Sequence, residues 1–246
     1  MHHFFINSDQ INEKKITVLG NDVRHIKSVL RMKVSDEISF SDGEKPVEYH
    51  GIITEITDRH IICDLIYIQK SNHELPARVY LFQALPKADK MELIIQKAVE
   101  LGIYEIIPIF SDRSVIRLDE KKAQAKIKRW QGISEASAKQ CKRQVIPRIS
   151  DIMSFKEAVK YAADKDIKII PYEMAEDMNK TKTIFSNLKT AQSVAVFIGS
   201  EGGFTNQEIE LAKTAGISPI TMGKRILRTE TAGFVILSWI MYQLEE

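Results

Sequence analysis

The sequence contains few cysteines and no long uninterrupted apolar run. Cys63 and Cys141 lie far apart and form no CxxC pair, which argues against a disulfide framework and against a zinc site built from cysteines. The longest apolar run, residues 232–244, is too short to span a bilayer and is interrupted by Ser238 and Gln243. The start of the chain lacks the apolar region of a signal peptide. These absences predict a cytoplasmic protein without a membrane partner.

Metal-binding spacing is absent as well. The six histidines form no HxxxH or comparable pattern, so the sequence predicts no metal centre. The net charge is only +2 and 44% of the residues are hydrophobic. A disordered chain would have fewer apolar residues and more net charge, so this composition indicates an ordinary globular protein.

The charge is unevenly distributed along the chain. Residues 117–148 contain ten Lys or Arg against three Asp or Glu, whereas residues 1–73 contain nine against eleven. A local basic excess suits a polyanionic partner such as nucleic acid. A solvated helix face has the same pattern, so this stretch alone does not decide between the two.

Residues 1–72 have the pattern of a small β domain. Strand-like segments span residues 37–41, 49–56 and 60–68. The exception is residues 21–32, where apolar side chains recur at helical spacing. Residues 71–76 are polar and end in proline, which is typical of a linker.

The pattern then changes to alternating strands and helices. Ser154 and Thr205 each stand three residues before a glutamate, which is the capping-box arrangement that begins a helix. This alternation predicts an α/β fold with a mostly parallel sheet and helices on both faces. The predicted strands are 78–85, 105–110, 167–171 and 194–198, and the main predicted helices are 90–101 and 119–141.

Two glycine-bearing loops are the most informative part of the chain. Gly199, Gly202 and Gly203 follow the strand pattern 194–198, and Gly223 follows a shorter one; each loop precedes a helix. Loops at strand ends of an α/β sheet are where small ligands bind, and glycine lets backbone groups approach a ligand without an intervening Cβ. A tight turn without a ligand has the same pattern, because short glycine motifs have many false positives.

Both loops also carry a family resemblance. Residues 198–205 (IGSEGGFT) and 222–232 (MGKRILRTETA) resemble the signature segments of the ribosomal RNA small-subunit methyltransferase E family, which belongs to the SPOUT class of knotted methyltransferases. The similarity extends over the whole chain, including Arg24-His25-Ile26 and residues 97–102. His2 and His3 stand where basic residues are usual, and Ser200 stands where proline is commoner.

The resemblance implies a fold, an activity and an assembly. It implies a PUA-like β-barrel over residues 1–72, which is an RNA-binding fold, and a SPOUT-type parallel sheet with a trefoil knot over residues 77–246. The family transfers a methyl group from S-adenosylmethionine to N3 of a uridine in small-subunit (16S) ribosomal RNA. It also implies a homodimer, to which residues 232–244 contribute unless that helix is intramolecular core.

The predicted cofactor is S-adenosylmethionine, and its site comprises the two glycine loops, the end of the strand 167–171 and the start of the last helix. Main-chain groups and packing would supply most contacts. The predicted cofactor-binding residues are Tyr172, Ile198, Gly199, Glu201, Gly202, Gly203, Met222, Gly223, Ile226, Leu227, Thr231 and Ala232.

Methylation at uridine N3 requires loss of the N3 proton and stabilisation of the negative charge that remains on the base. Arg228 can hold that charge at O2 or O4. Glu230 can accept a proton or fix Arg228, and Glu201 is a weaker candidate for these roles. A structural Arg–Glu pair at a helix start is the alternative, because the helix dipole favours a carboxylate there.

The predicted RNA-binding residues lie in two segments and could equally be exposed polar positions. They are Arg24, His25 and Arg31 in the β domain, and Lys139, Lys142 and Arg143 in the basic stretch. Two rival functions stay open: a catalytically silent RNA-binding protein, and a phosphate-binding α/β enzyme that uses the loop 199–203. The second is disfavoured because no Gly-Lys-Ser/Thr follows that loop.

Overall fold

The computed structural model describes residues 2–70, 73–114, 116, 118–175 and 177–245. It divides into two compact units, one comprising Met1–Glu74 with Ala138–Ile146 and the other Leu75–Ser137 with Pro147–Glu246. Ser71 and Asn72 of the predicted linker, and Arg117 at the start of the basic stretch, lie outside the described residues.

The first unit is built on a six-stranded half-barrel sheet. Its strands follow the spatial order β1-β4-β5-β6-β3-β2, with β1 and β4 parallel and all other neighbours antiparallel. The core is apolar, with Ile16, Ile38, Phe40, Ile53 and Ile61 fully buried. The strands are β1 (His2–Phe5), β2 (Ile11–Asn12), β3 (Lys15–Leu19), β4 (Glu37–Ser41), β5 (Val47–Ile56) and β6 (His60–Lys70).

Helical structure in this unit is short. A 3₁₀ turn spans Ser8–Gln10, and helix α1 (Asn21–Arg24) continues into a π-helical segment, His25–Val29. Val23 and Ile26 face the core, as their helical spacing predicts. The sequence therefore correctly predicted helical structure after Gly20 within a β-rich region.

The first unit is discontinuous in sequence. Val145 forms a parallel β-bridge with Gly43, and the Ile146 N–H donates to the Gly43 carbonyl at 2.8 Å. Glu74 accepts hydrogen bonds from the guanidinium of Arg143 and from the Val145 N–H. Residues 138–146 therefore complete this unit although more than sixty residues separate them from Glu74.

The second unit contains a seven-stranded sheet in which all pairings are parallel. The spatial order is β10-β8-β7-β12-β11-β13, with β9 beside β8. The central strands are almost completely buried, as expected for a sheet covered on both faces. The strands are β7 (Arg78–Ala84), β8 (Glu105–Phe110), β9 (Arg148–Ile149), β10 (Met153–Ser154), β11 (Ile167–Pro171), β12 (Ser193–Ile198) and β13 (Ser218–Ile220).

Helices cover both faces of this sheet. On one face, the apolar side chains of α4 (Phe155–Tyr161) and α6 (Asn206–Thr214) pack around Phe82 and Phe197. The other face packs against α2 (Lys90–Glu100), α5 (Met178–Ser186) and α7 (Thr229–Glu245). The predicted capping boxes at Ser154 and Thr205 are present and begin α4 and α6. The helices are α2 (Lys90–Glu100), α3 (Glu120–Gln140), α4 (Phe155–Tyr161), α5 (Met178–Ser186) followed by a 3₁₀ turn (Asn187–Thr190), α6 (Asn206–Thr214) and α7 (Thr229–Glu245).

The C-terminal segment passes from one face of the sheet to the other. After β12, the chain passes along the α6 face to β13, on the far side of β11, and then returns to the opposite face as α7. The returning segment is tied to α5, because the Thr181 hydroxyl accepts from the Thr221 N–H at 3.2 Å and donates to the Thr221 carbonyl at 3.4 Å. Residues 199–246, which the family resemblance implies to be the threaded part of a trefoil knot, make up this segment.

Candidate active site

A cavity of about 910 Å³ opens at the carboxyl edge of the parallel sheet, which is a volume typical of small-molecule sites. Its walls are the segments that follow β11, β12 and β13. Eleven predicted cofactor residues line it: Tyr172, Ile198, Gly199, Glu201, Gly202, Gly203, Met222, Gly223, Ile226, Leu227 and Ala232. Thr231 differs from the prediction, because it is exposed on the first turn of α7 and does not line the cavity.

The glycines around the cavity serve two purposes. A Cβ on Gly199 would lie 2.9 Å from the Cα of Gly203, so the loop's contact with itself excludes a side chain there. Gly203 and Gly223 have φ angles of +66° and +97°, and a Cβ on either would meet nothing within 4 Å. Because both line the cavity, the open space beside their backbone is available to a ligand.

A buried hydroxyl connects the first glycine loop to the start of α7. Thr229, the first residue of α7, donates from Oγ1 to the Gly199 carbonyl at 2.6 Å and accepts from Nε2 of Gln83 at 3.0 Å. Gln83 lies on β7 and is fully buried. The start of α7 is therefore fixed to the end of β12 through one side chain.

Replacing Thr229 with valine should lower the free energy of unfolding by about 1–3 kcal/mol, because the Gly199 carbonyl and the buried Gln83 amide each lose a partner. Thr229→Ser keeps the hydroxyl and serves as the control. Chemical denaturation of the three proteins measures the effect. Equal stability of the valine and serine variants would contradict this role.

An ion-pair cluster stands at the rim of the cavity. The Lys90 ammonium lies 3.0 Å from Oε1 of Glu201, in the first glycine loop, and 3.3 Å from Oε2 of Glu230, in the first turn of α7. Glu201 also accepts the Lys87 backbone N–H at 3.2 Å. The two carboxylates predicted for catalysis are thus neighbours, joined by one cation that the sequence did not single out.

This arrangement favours the charged forms of Lys90 and Glu201. The side-chain hydrogen bond to Glu201 raises the pKa of Lys90. Burial opposes ionisation of Glu201, but hydrogen bonds from its own backbone, from Lys90 and from the Lys87 N–H outweigh it and lower the pKa of this carboxyl.

Arg228 occupies the position expected of a residue that faces a substrate. It directly precedes α7, lines the cavity and is exposed. Within the described part of the chain, no ion pair involves its guanidinium, since Glu230 pairs with Lys90. The structural Arg228–Glu230 pair, which was the sequence-based alternative, is not formed by these residues.

The cavity residues that the sequence interpretation missed include two cations, Lys90 and Arg113. Lys90 follows β7, and Arg113 follows β8 and donates from Nη1 to the Gly202 carbonyl at 2.8 Å. Both come from segments without glycine motifs. The available signal was topological, because β7 pairs with β12 in parallel and so ends at the same edge of the sheet.

All six predicted RNA-binding residues belong to the first unit. Arg24, His25, Arg31, Lys139 and Lys142 are exposed. Arg143 requires a correction: it is 3% exposed and forms a bidentate contact with Glu74, so its guanidinium satisfies an internal carboxylate rather than facing a phosphate.

The remaining sequence-based expectations concern the last helix, membranes and metals. On α7, the ring of Trp239 packs edge-on against Phe185, whereas Tyr242 is 65% exposed. No described helix is both long and apolar enough to cross a bilayer. The described residues contain no group of three His, Cys, Asp or Glu arranged to hold a metal ion. Neither cysteine forms a disulfide.

Comparison with protein families gives two matches. Residues 73–241 match the RNA methyltransferase domain, and residues 18–66 match the RNA methyltransferase PUA domain. Together with the topology, they confirm the predicted fold class, a SPOUT-type knotted parallel sheet with a PUA-like half-barrel.

Individual proteins are similar over nearly their full length. Ribosomal RNA small subunit methyltransferase E of Bacillus subtilis is 36% identical, covering 100% of this chain and 98% of its own, and that of Mesomycoplasma hyopneumoniae is 33% identical, covering 97% and 98%. The crystal structure of the Neisseria gonorrhoeae protein of that name, bound to S-adenosylmethionine, is 26% identical with a TM-score of 0.83, covering 98% of this chain and 97% of its own.

Proposed function

Because this chain belongs to the ribosomal RNA small subunit methyltransferase E family, we propose that it methylates N3 of a specific uridine in 16S ribosomal RNA, with S-adenosylmethionine as the methyl donor. The proposed division of labour is an RNA-binding barrel over residues 1–72 and a catalytic domain over residues 77–246. The coarser activity, donor-dependent methylation of ribosomal RNA, follows from family membership.

The cavity residues fit S-adenosylmethionine. Apolar side chains of Ile198, Met222 and Leu227 suit the adenine, while the carboxylates of Glu173 and Glu201 suit a cationic ligand. The open space beside Gly203 and Gly223 allows hydrogen bonds from the ligand to the main chain. When bound, S-adenosylmethionine supplies a methyl group that is already activated on a sulfonium.

The protein's own residues must then prepare the uridine. Arg228, exposed at the cavity and without an ion-pair partner among the described residues, can donate hydrogen bonds to a uracil oxygen as N3 loses its proton. Glu201 and Glu230 are the neighbouring carboxylates available to take up that proton. The observation that carries the proposal is Arg228, exposed beside a cavity large enough for S-adenosylmethionine and without an ion-pair partner in the described part of the chain.

Mapping of modified nucleosides tests the assignment. The purified protein is incubated with S-adenosylmethionine and either 16S ribosomal RNA or small subunits that lack the modification, and nuclease digests are analysed by mass spectrometry. Reverse transcription then locates the methylated uridine in the RNA sequence, because a methyl group on N3 blocks the pairing edge of uridine, whereas one on C5 or the ribose does not. We expect one N3-methyluridine.

Other products would reject the assignment in distinct ways. Methylation at C5 or at a 2′-hydroxyl would leave S-adenosylmethionine as the methyl donor but would show that uridine N3 is not the methylated atom. RNA binding without methyl transfer to either substrate would support the rival, a catalytically silent RNA-binding protein.

We propose that Lys139 and Lys142 bind RNA phosphates, since both are exposed at the end of α3 and the segment that follows. Reversing both to glutamate should weaken RNA binding and reduce the slope of log affinity against log salt by about 1.5, since roughly 0.7–0.9 counterions are released per phosphate contact. Arg143 is left unchanged because it is buried with Glu74.

The matched control reverses Lys156 and Lys160, two exposed lysines on α4, which changes the net charge equally. Binding is measured by fluorescence anisotropy across salt concentrations. The same slope change in both double variants would mean that net charge, and not this segment, sets the affinity.

We further propose a homodimer, on the strength of the family resemblance and of the exposed Tyr242 ring on α7. Light scattering gives the mass directly. A monomer at micromolar concentration would contradict the proposal.

A further inference from the structure

Lys90 links two elements that the reaction must hold together. Its ammonium contacts Glu201 of the first glycine loop and Glu230 of α7, although it is itself the first residue of α2. Its side chain is only 29% exposed and lines the cavity. One cation thus pairs with two carboxylates that come from different elements.

The turn before α2 is shaped to make this bridge. Ala88 has a φ of +56°, in a region that a residue with a Cβ rarely occupies. On one side of Ala88 the Lys87 N–H donates to Glu201, and on the other the Lys90 side chain binds the same carboxylate. Backbone strain of this kind persists where surrounding contacts hold it, and it is concentrated at functional sites.

We propose that Lys90 is a positioning residue for methyl transfer, which bridges Glu201 and Glu230 and so holds both carboxylates in place beside the bound uridine. This inference rests on the proposed function and adds to it a residue from a third element. Lys90 acts here through the two carboxylates, which would otherwise repel each other.

The charged surroundings set the direction of the expected pH effect. Without Lys90, two neighbouring carboxylates disfavour each other's ionisation, so the pKa of at least one must rise. The hydrogen bond from the Lys87 N–H remains in the variant, and so do the other charges at the cavity. Those other charged groups are Arg113, Glu173, Lys224, Arg225 and Arg228.

The test compares Lys90→Met with Lys90→Arg in the full-length protein under single-turnover conditions. Methionine keeps the length of the side chain without its charge, whereas arginine can still bridge two carboxylates. We expect Lys90→Met to move the acidic limb of the pH–rate profile upward by about one unit, so that the rate on that limb falls about tenfold. Lys90→Arg should retain most of the parent's activity and its profile.

Lys97→Met is the matched control, because Lys97 lies on the same helix and pairs with Glu100 at 2.8 Å, and it does not line the cavity. It should leave the pH profile unchanged. Glu230→Gln should remove most of the effect of Lys90→Met when the two are combined, since residues that act as one unit are not additive.

The outcomes separate this inference from the proposed function. If the parent forms N3-methyluridine but Lys90→Met keeps its pH profile, or adds independently to Glu230→Gln, the positioning role is wrong. If Lys90→Met does not fold, the same question is decided by comparing the pH–rate profiles of Lys90→Arg and Lys90→Gln. A parent protein that methylates another atom would overturn the proposed function instead.

Discussion

Replacement of Arg228 with alanine should slow single-turnover methylation by about 100- to 1,000-fold, which corresponds to roughly 2.7–4 kcal/mol of barrier. Loss of the N3 proton leaves negative charge on the uracil oxygens, and Arg228 is an exposed guanidinium at the cavity, next to α7, that can hold it. Affinity for S-adenosylmethionine should change little. Rapid-quench methylation at saturating RNA measures the rate, and calorimetry measures the affinity.

A structural role for Arg228 would give a different result. Its side chain is exposed and Glu230 pairs with Lys90, so Arg228→Ala should change the free energy of unfolding by no more than about 0.5 kcal/mol. Arg228→Lys should restore little activity, because a point charge lacks the planar fork. Loss of thermal stability in step with activity would show that the residue is structural.

The pH dependence gives a second check on Arg228. If Arg228 stabilises the deprotonated base, the rate of the alanine variant should climb more steeply with pH than that of the parent, because hydroxide can supply part of what the enzyme no longer does. Parallel pH–rate profiles would count against charge stabilisation.

Replacing Gly203 with alanine should weaken binding of S-adenosylmethionine by about 30-fold, or roughly 2 kcal/mol. The backbone of Gly203 faces open space in the cavity, and a Cβ there would occupy space proposed for the ligand. Gly203→Ala is preferable to a larger residue, because its φ of +66° strains any side chain and a branched one most.

Gly216→Ala separates strain from ligand exclusion. Gly216 has a φ of +76°, and its nearest Cβ contact would be an ordinary 3.9 Å from Lys168, so the new side chain fits there. It lies outside the cavity, after α6. Both variants should lose about 1–2 kcal/mol of stability, but only Gly203→Ala should lose affinity by calorimetry. Equal affinities in the two folded variants would reject the placement of the cofactor.

Local patterns were sufficient for the elements that form the sheet and its loops. The strand 105–110 is predicted with the bounds that the structure has, and Thr205 begins α6 through the capping box read from the sequence. Such features depend on residues within a few positions of each other, so a sequence displays them directly. Gly199 and Gly203 belong to the same class, since their loop closes on itself.

Contacts between distant residues were not predictable in this way. Lys90 meets Glu201 across more than a hundred residues, and nothing near Lys90 in sequence distinguishes it from Lys97, the other lysine of α2. Arg143 was read as a phosphate ligand because its neighbours are basic, yet its partner Glu74 lies sixty-nine residues earlier. Both depend on which strands pair and on where the chain returns.

The discontinuity of the first unit sets an order of events on the ribosome. Its last strand ends at Lys70, but its β-bridge to Gly43 and its contacts to Glu74 require residues up to Ile146. At roughly 5–20 residues per second, the emerging half-barrel waits about 4–15 seconds for that segment. During this interval the Gly43 main chain and the Glu74 carboxylate lack their native partners. The segments β7, α2 and β8 leave the ribosome before the half-barrel can be completed. Nascent chains halted before and after Ile146 should therefore differ sharply in the protease resistance of the N-terminal unit.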